Sequence, residues 1–187
     1  MQGLAGTSGE GGARPSDRDG RKATQGCPCG YHGTPRHGCR CAPVEVERYR
    51  SRVSGPLLDR IDIHLEVPAV ACRDLAPQPG DEPSAAIRAR VDRARVVQRE
   101  RFRGQAGVYA NAHMAARDIR RHCAPSPPVE QLLRDAVNRL GLSARAYHRV
   151  LKIARTIADL EGARELNVAH VSEAIQYRSL DRSPAGH

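Results

Sequence analysis

The sequence predicts a mainly α-helical protein: a bundle of four or five short helices, preceded by a cysteine-bearing segment and one strand. Three observations carry that prediction. From Ser84 to Tyr177 apolar residues recur at three- and four-residue intervals, the period of a helix with one buried face. Aromatic residues make up 3% of the 187, with no Trp and one Phe, which leaves a core of Leu, Val, Ile and Ala suited to helix packing. Prolines and glycines punctuate the apolar run where helices would start and stop.

The elements follow in order. Residues 1–26 hold seven glycines, with Met1 and Leu4 as the only large apolar side chains, and cannot bury enough surface to offset the entropy of ordering. A disordered tail is expected there, and another over 179–187. Residues 27–70 form a cysteine-bearing unit. In it Val46, Tyr49 and Val53 mark one face of a short basic helix over 45–53, which Ser54-Gly55-Pro56 ends. Ile61-Asp62-Ile63-His64-Leu65-Glu66-Val67 alternates apolar and polar residues and reads as a strand bounded by Pro68, with His64 on its surface face.

A Pro/Gly-rich linker covers 71–83, and the helical unit covers 84–178. Its first helix is capped by Ser84, with Ile87, Val91, Ala94 and Val97 or Gln98 as the apolar stripe. Arg88, Arg90, Arg93, Arg95, Arg99, Arg101 and Arg103 cover the rest. A short helix runs from Met114 to Cys123 and stops at Pro125-Ser126-Pro127-Pro128. The next has Pro128 in its first turn and Gly141 as its C-cap. Ser143 caps the longest helix, whose packed face is Tyr147, Val150, Leu151, Ala154, Ile157, Ala158 and Leu160. Arg145, Arg149, Lys152 and Arg155 lie mainly off that face, and Gly162 closes the helix. A last helix starts near Asn167 and frays after Tyr177.

Two features carry chemistry. Cys27, Cys29, Cys39 and Cys41 form two Cys-x-Cys pairs in a turn-rich loop, a donor set that fits one tetrahedral Zn²⁺, with His32 and His37 as spare donors. The one-residue gap is less usual than a two-residue gap, so a reduced cluster or two disulfides stay open as alternatives. Isolated Cys72 and Cys123 read as small, partly buried hydrophobes. The net charge is +9, and Lys22 and Lys152 are the only lysines among 30 basic residues. That balance fits a polyanionic partner or a GC-rich coding bias. Arg88, Arg95 and Arg99 are the candidate phosphate-backbone contacts; a solvated helix face is the other reading of the run. No 18-residue apolar run and no apolar leader occur, so the expectation is a cytoplasmic protein with no membrane partner.

The string CPCGYHGTPRHGCRCAPVEVERYRSRVSGPLLDRIDIHLEVP and the later GLSARAYHR resemble the Mg-chelatase-like AAA+ ATPases of the ComM/YifB type, from Cys27 to about Tyr177. The resemblance implies an AAA+ helical lid following one residual strand of the ATPase sheet. It further implies that Arg60 is an arginine finger, and that Arg145 is the sensor-2 residue contacting ATP phosphate. Intact relatives are expected to be ATP/Mg-dependent homo-oligomeric rings acting on DNA, in branch migration during natural transformation. The 187 residues contain no G-x-x-x-x-G-K-[ST], and Gln25-Gly26 stands where the family has Asn-Pro, so this chain alone is expected to lack ATPase activity. It reads as the C-terminal part of such a motor from a truncated or mis-started frame. A stand-alone basic DNA-binding module and a non-functional gene product are the alternatives.

Overall fold

A computed structural model describes residues 26–33, 38–58, 60–65, 67, 70 and 80–178. The expectations for the tails at 1–25 and 179–187, for most of the linker at 71–79, and for His37 and Cys72 lie outside the described residues. The chain divides into two compact units, 1–54 with 67–70 and 55–66 with 71–187.

In the first unit, helix α1 spans Pro43–Arg50. Pro43 occupies its first turn, where a missing N–H costs nothing, and the Glu45 carboxylate accepts the Ala42 N–H at 2.9 Å. Val46 is buried. Arg50 donates through Nε to the Gly26 carbonyl at 3.2 Å, which closes the cysteine segment onto the helix.

The second unit is helical, as the sequence predicts. It contains α2 (Gly55–Leu58), α3 (Ser84–Arg101), a 3₁₀ turn (Asn111–His113), α4 (Ala116–His122), α5 (Pro127–Leu140), α6 (Ala144–Glu161) and α7 (Val168–Gln176). Helix α6 is the axis. Its Val150, Ala154 and Ala158 are fully buried, and it packs against α7, α3, α4 and the 3₁₀ turn, while α5 packs on α7. Val129 and Leu133 of α5 and Val171 and Ala174 of α7 fill the same core, each buried Val or Leu side chain contributing about 1.5–3 kcal/mol. The boundaries are set locally. Gly141 ends α5 at φ 62°, a left-handed conformation that favours glycine, and two residues later the Ser143 hydroxyl accepts the Ala146 N–H to start α6. Asn167 caps α7 in the same way through His170 N–H at 2.9 Å. Cys123 is buried in the core, in keeping with its reading as a small hydrophobe, and burial pushes its thiol up to about 11.

Several expectations are corrected. The strand over 61–67 is not formed among the described residues: 60–65 has no β-ladder, and its backbone bond to the bundle is His64 N–H to the Tyr177 carbonyl at 2.7 Å. Alternation supplies a face but not a pairing partner. The facing is also inverted, since His64 is 5% exposed while Ile63 and Leu65 are 48% and 68% exposed. Helix α3 begins at Ser84 with Pro83 as its cap residue, and its apolar stripe is only half covered: Ala94 and Gln98 are buried, Ile87, Val91 and Val97 are exposed. Arg101 and Arg155, expected on solvated faces, turn inward.

They do so because of Asp159. Its buried carboxylate accepts Arg101 at 2.6 and 2.5 Å, Asn111 Nδ2 at 2.8 Å, Arg155 Nε at 3.1 Å and Gln98 Nε2 at 3.3 Å. Arg155 is 2% exposed and spends its remaining donors on the carbonyls of Arg164 and Ala163, just beyond the end of α6. Burial by itself would raise the Asp159 pKa, but the hydrogen bonds from Arg101 and Asn111 and the charges of Arg101 and Arg155 hold it below the usual carboxylate range. Because the folded pKa is depressed, this stability is complete above about pH 4, the unfolded value, and is lost as pH falls through the folded one. Asp159→Asn should therefore cost about 3–5 kcal/mol in urea unfolding at neutral pH, because two buried guanidinium groups lose their counter-charge, and should flatten the acid limb of stability. A loss below about 0.5 kcal/mol would mean that the cluster is not coupled to folding.

Candidate functional site

A groove of about 430 Å³ lies over the first two turns of α6. Arg145, His148, Arg149 and Lys152 line it from α6, Ala112, Met114, Ala116 and Ile119 from the 3₁₀ turn and α4, and Asp62 from the segment after α2. The spacing of 145, 149 and 152 stacks three cations along one helix face. Ser143 fixes where the helix starts and so places Arg145 at its second position, where the helix dipole favours an anion rather than a cation. Lys152 donates to the Ala112 carbonyl at 2.8 Å, and burial followed by the neighbouring charge of Arg149 lowers its pKa. Three cations and one carboxylate on a helix N-terminus leave the groove net positive, an arrangement suited to a phosphate group.

The predicted residues fall as follows. Arg145 is exposed at the groove mouth. Arg60 is exposed on the turn that follows α2, its N–H bonded to the Leu57 carbonyl at 3.0 Å. Asp62 pairs with Arg149 and not with Arg60, and Arg149 also donates to the Arg60 carbonyl at 2.7 Å. Glu161 pairs with His170. Arg88, Arg95 and Arg99 are exposed and lie within an arc of about 40° on α3, while Arg90 is tied to Glu82 at 2.9 Å and Arg103 to Glu100. Sequence reading missed His148, Arg149, Lys152 and Asp62 as groove residues. The four-and-seven spacing on α6 was a visible signal for the basic ones; the ion pair across 87 positions was not.

In the other unit the four cysteines converge. The Gly30 N–H bonds the Cys27 carbonyl at 3.1 Å, and Gly30 at φ 80° turns the chain back on itself. All four sulfurs lie within 4.8 Å of one another, with Cys27 to Cys29 at 3.2 Å and Cys39 to both at 3.6 Å. A tetrahedral Zn–S bond of about 2.3 Å requires sulfurs about 3.8 Å apart, so the donor set fits. No disulfide joins the described cysteines. Against burial, hydrogen bonds from Cys29 and Cys39 and the backbone N–H groups of His32 and Gly30 lower Cys27 to about 6. Cys41 is pushed up to about 12: the backbone N–H of Cys29 works the other way, but the neighbouring sulfurs and burial outweigh it. Metal binding at this cluster would release protons from thiols such as Cys41.

Two family descriptions match the chain. The family described as magnesium chelatase, subunit ChlI C-terminal, matches residues 81–178, and magnesium chelatase, subunit ChlI, matches residues 21–75. Competence protein ComM of Haemophilus influenzae is 42% identical over 153 residues, covering 81% of this chain and 29% of that protein. The uncharacterised protein YifB of Salmonella typhimurium is 39% identical over 151 residues, 76% of this chain and 28% of that one. An uncharacterised protein of Mycobacterium tuberculosis is 32% identical over 156 residues, 83% and 30% of the two chains. The chain spans under a third of the length of these relatives. With more than half of it matched by one family model and its relatives of ComM and YifB type, the chain belongs to the magnesium chelatase subunit ChlI family.

Proposed function

We propose that this chain is the nucleotide-sensing helical lid of a ComM-like AAA+ ATPase that acts on DNA, in branch migration during natural transformation, as part of a cytoplasmic homo-oligomeric ring. The basic groove at the start of α6 carries the reading. Arg145 would meet the terminal phosphate of ATP/Mg held by a phosphate-binding portion outside these 187 residues, and Arg60 would reach a nucleotide on a neighbouring subunit, where a planar guanidinium can neutralise charge on a transferred phosphoryl group. The exposed Ile63 and Leu65 support a further surface outside the chain that covers them. Alone, the chain would not hydrolyse ATP, because its sequence has no phosphate-cradling loop.

A second reading, a stand-alone basic DNA-binding module, is favoured by the arginine face of α3. One assay separates the two. When the phosphate-binding portion is supplied as a separate chain or in a restored frame, ATP hydrolysis should appear and be stimulated by DNA. Arg145→Ala should lower it about ten- to a hundredfold and Arg60→Ala about a thousandfold or more. Replacing Arg88, Arg95 and Arg99 by Ala should reduce the slope of log K for DNA against log salt by about 3. DNA binding that keeps its salt slope, with no hydrolysis in any arrangement, would contradict both readings.

For the cysteine cluster we propose a structural Zn²⁺ held by Cys27, Cys29, Cys39 and Cys41. Protein purified without chelator should carry about one zinc per chain, with four thiolates filling the tetrahedral site. Affinity should fall as pH falls, because metal must compete with protons at Cys41 and its neighbours. Metal-free protein with four freely titrating thiols would end the proposal.

A further inference from the structure

The segment that carries Arg60 is fastened to the helical bundle by two arginines. Arg149 of α6 pairs with the Asp62 carboxylate and donates to the Arg60 carbonyl at 2.7 Å. Arg178, fully buried just past α7, donates to the Ile61 carbonyl. The His64 N–H then bonds the Tyr177 carbonyl at 2.7 Å, and the His64 ring is buried with it. Residues 55–66 accordingly belong to the same compact unit as α3–α7. This explains the inverted facing of the segment. Its backbone carbonyls and the Asp62 carboxylate satisfy cations of the bundle, whereas the side chains of Ile63 and Leu65 stay exposed.

Arg149 stands one helical turn beyond Arg145 on the same face of α6. A rigid helix therefore links the residue at the groove mouth to the residue that grips the Arg60 turn. We propose that Arg149 is a positioning residue: by clasping Asp62 and the Arg60 carbonyl it makes the Arg60 turn part of the α6 body, so that any displacement of Arg145 carries Arg60 with it. The clasp rests on the contacts alone; its role in hydrolysis rests on the reading of Arg60 and Arg145 given above. Its chemistry suits the task, because a guanidinium satisfies a carboxylate and a carbonyl at once and cannot be deprotonated. The pair is only part-buried, with side-chain exposures of 21% for Arg149 and 51% for Asp62, so salt should weaken it.

Amide hydrogen exchange on the 187-residue chain tests the clasp. In Arg149→Ala, exchange at the His64 amide, which is bonded to the Tyr177 carbonyl, should rise about five- to tenfold, while amides of Val150–Ala158 keep their protection. Asp62→Asn, a change at a half-exposed side chain that α6 does not need for folding, should do the same. Raising salt from about 0.05 to about 0.5 M should move the native chain toward the variants and leave the variants unmoved, a response that loss of packing would not give. Unchanged exchange at His64 in both variants, or an equal rise throughout α6, would overturn the clasp.

Hydrolysis in the assembly with the phosphate-binding portion tests the role. Arg149→Ala should lower kcat about ten- to a hundredfold with little change in KM for ATP, since the turn is misplaced while the phosphate contact stays. Faster exchange with an unaltered kcat, in an assembly that Arg60→Ala disables, would overturn the positioning role. Should Arg60→Ala itself leave hydrolysis intact while exchange still responds to Arg149→Ala, the finger reading falls and the clasp stands.

Discussion

The helical unit is organised around one buried carboxylate. Asp159 draws donors from α3, from the 3₁₀ turn and from its own helix, and so ties those elements together at one point. Arg101 and Arg155 bring two positive charges to one negative. The imbalance is tolerated because Arg155 also donates to the carbonyls of Ala163 and Arg164, just beyond the end of α6. Such a cluster is favourable only when complete, since each desolvated group left unpaired costs several kcal/mol. It fixes α3 and the 3₁₀ turn against α6, and the 3₁₀ turn forms one wall of the basic groove. Core aliphatics supply most of the driving force; the carboxylate selects the arrangement.

What sequence reading captured is mostly local. Ser143, Gly141 and Gly162 each act through their own backbone neighbourhood, so their roles at the helix ends could be read without knowing the fold. The core face of α6 was legible for the same reason, since Val150, Leu151, Ala154 and Ala158 follow one period. Reading failed where a long-range partner decides. Arginine at 101 or 155 looks solvated until a carboxylate 58 or four residues away is placed beside it. The apolar stripe of α3 was real as a pattern, but its first turns meet no surface within the described residues, so Ile87 and Val91 stay exposed. At 61–67 the alternation was legible and its consequence was not: with no ladder, hydrogen bonding to Arg149, Arg178 and Tyr177 decides which side faces in.

The candidate sites divide similarly. Spacing alone suggested the cysteine donor set, because four sulfurs within a 15-residue stretch can hardly fail to meet once Gly30 turns the chain. Arg145 was found through family resemblance, and the groove around it only through the fold that brings Ala112, Met114 and Asp62 to α6. The groove, the Arg60 turn and the arginine face of α3 all belong to the one helical unit, whose apolar residues at 63, 65, 87 and 91 are left for surfaces beyond it.

A nucleotide-sensing groove on α6 must distinguish a terminal phosphate. The most direct measurement is the ratio of ATP to ADP affinity in the assembly with the phosphate-binding portion, before and after Arg145→Ala. A charged hydrogen bond to the γ-phosphate is worth about 1.5–3 kcal/mol, so the substitution should weaken ATP about ten- to a hundredfold and leave ADP nearly unchanged. Equal weakening of ATP and ADP, or no change in either, would contradict the assignment of this groove as the phosphate sensor.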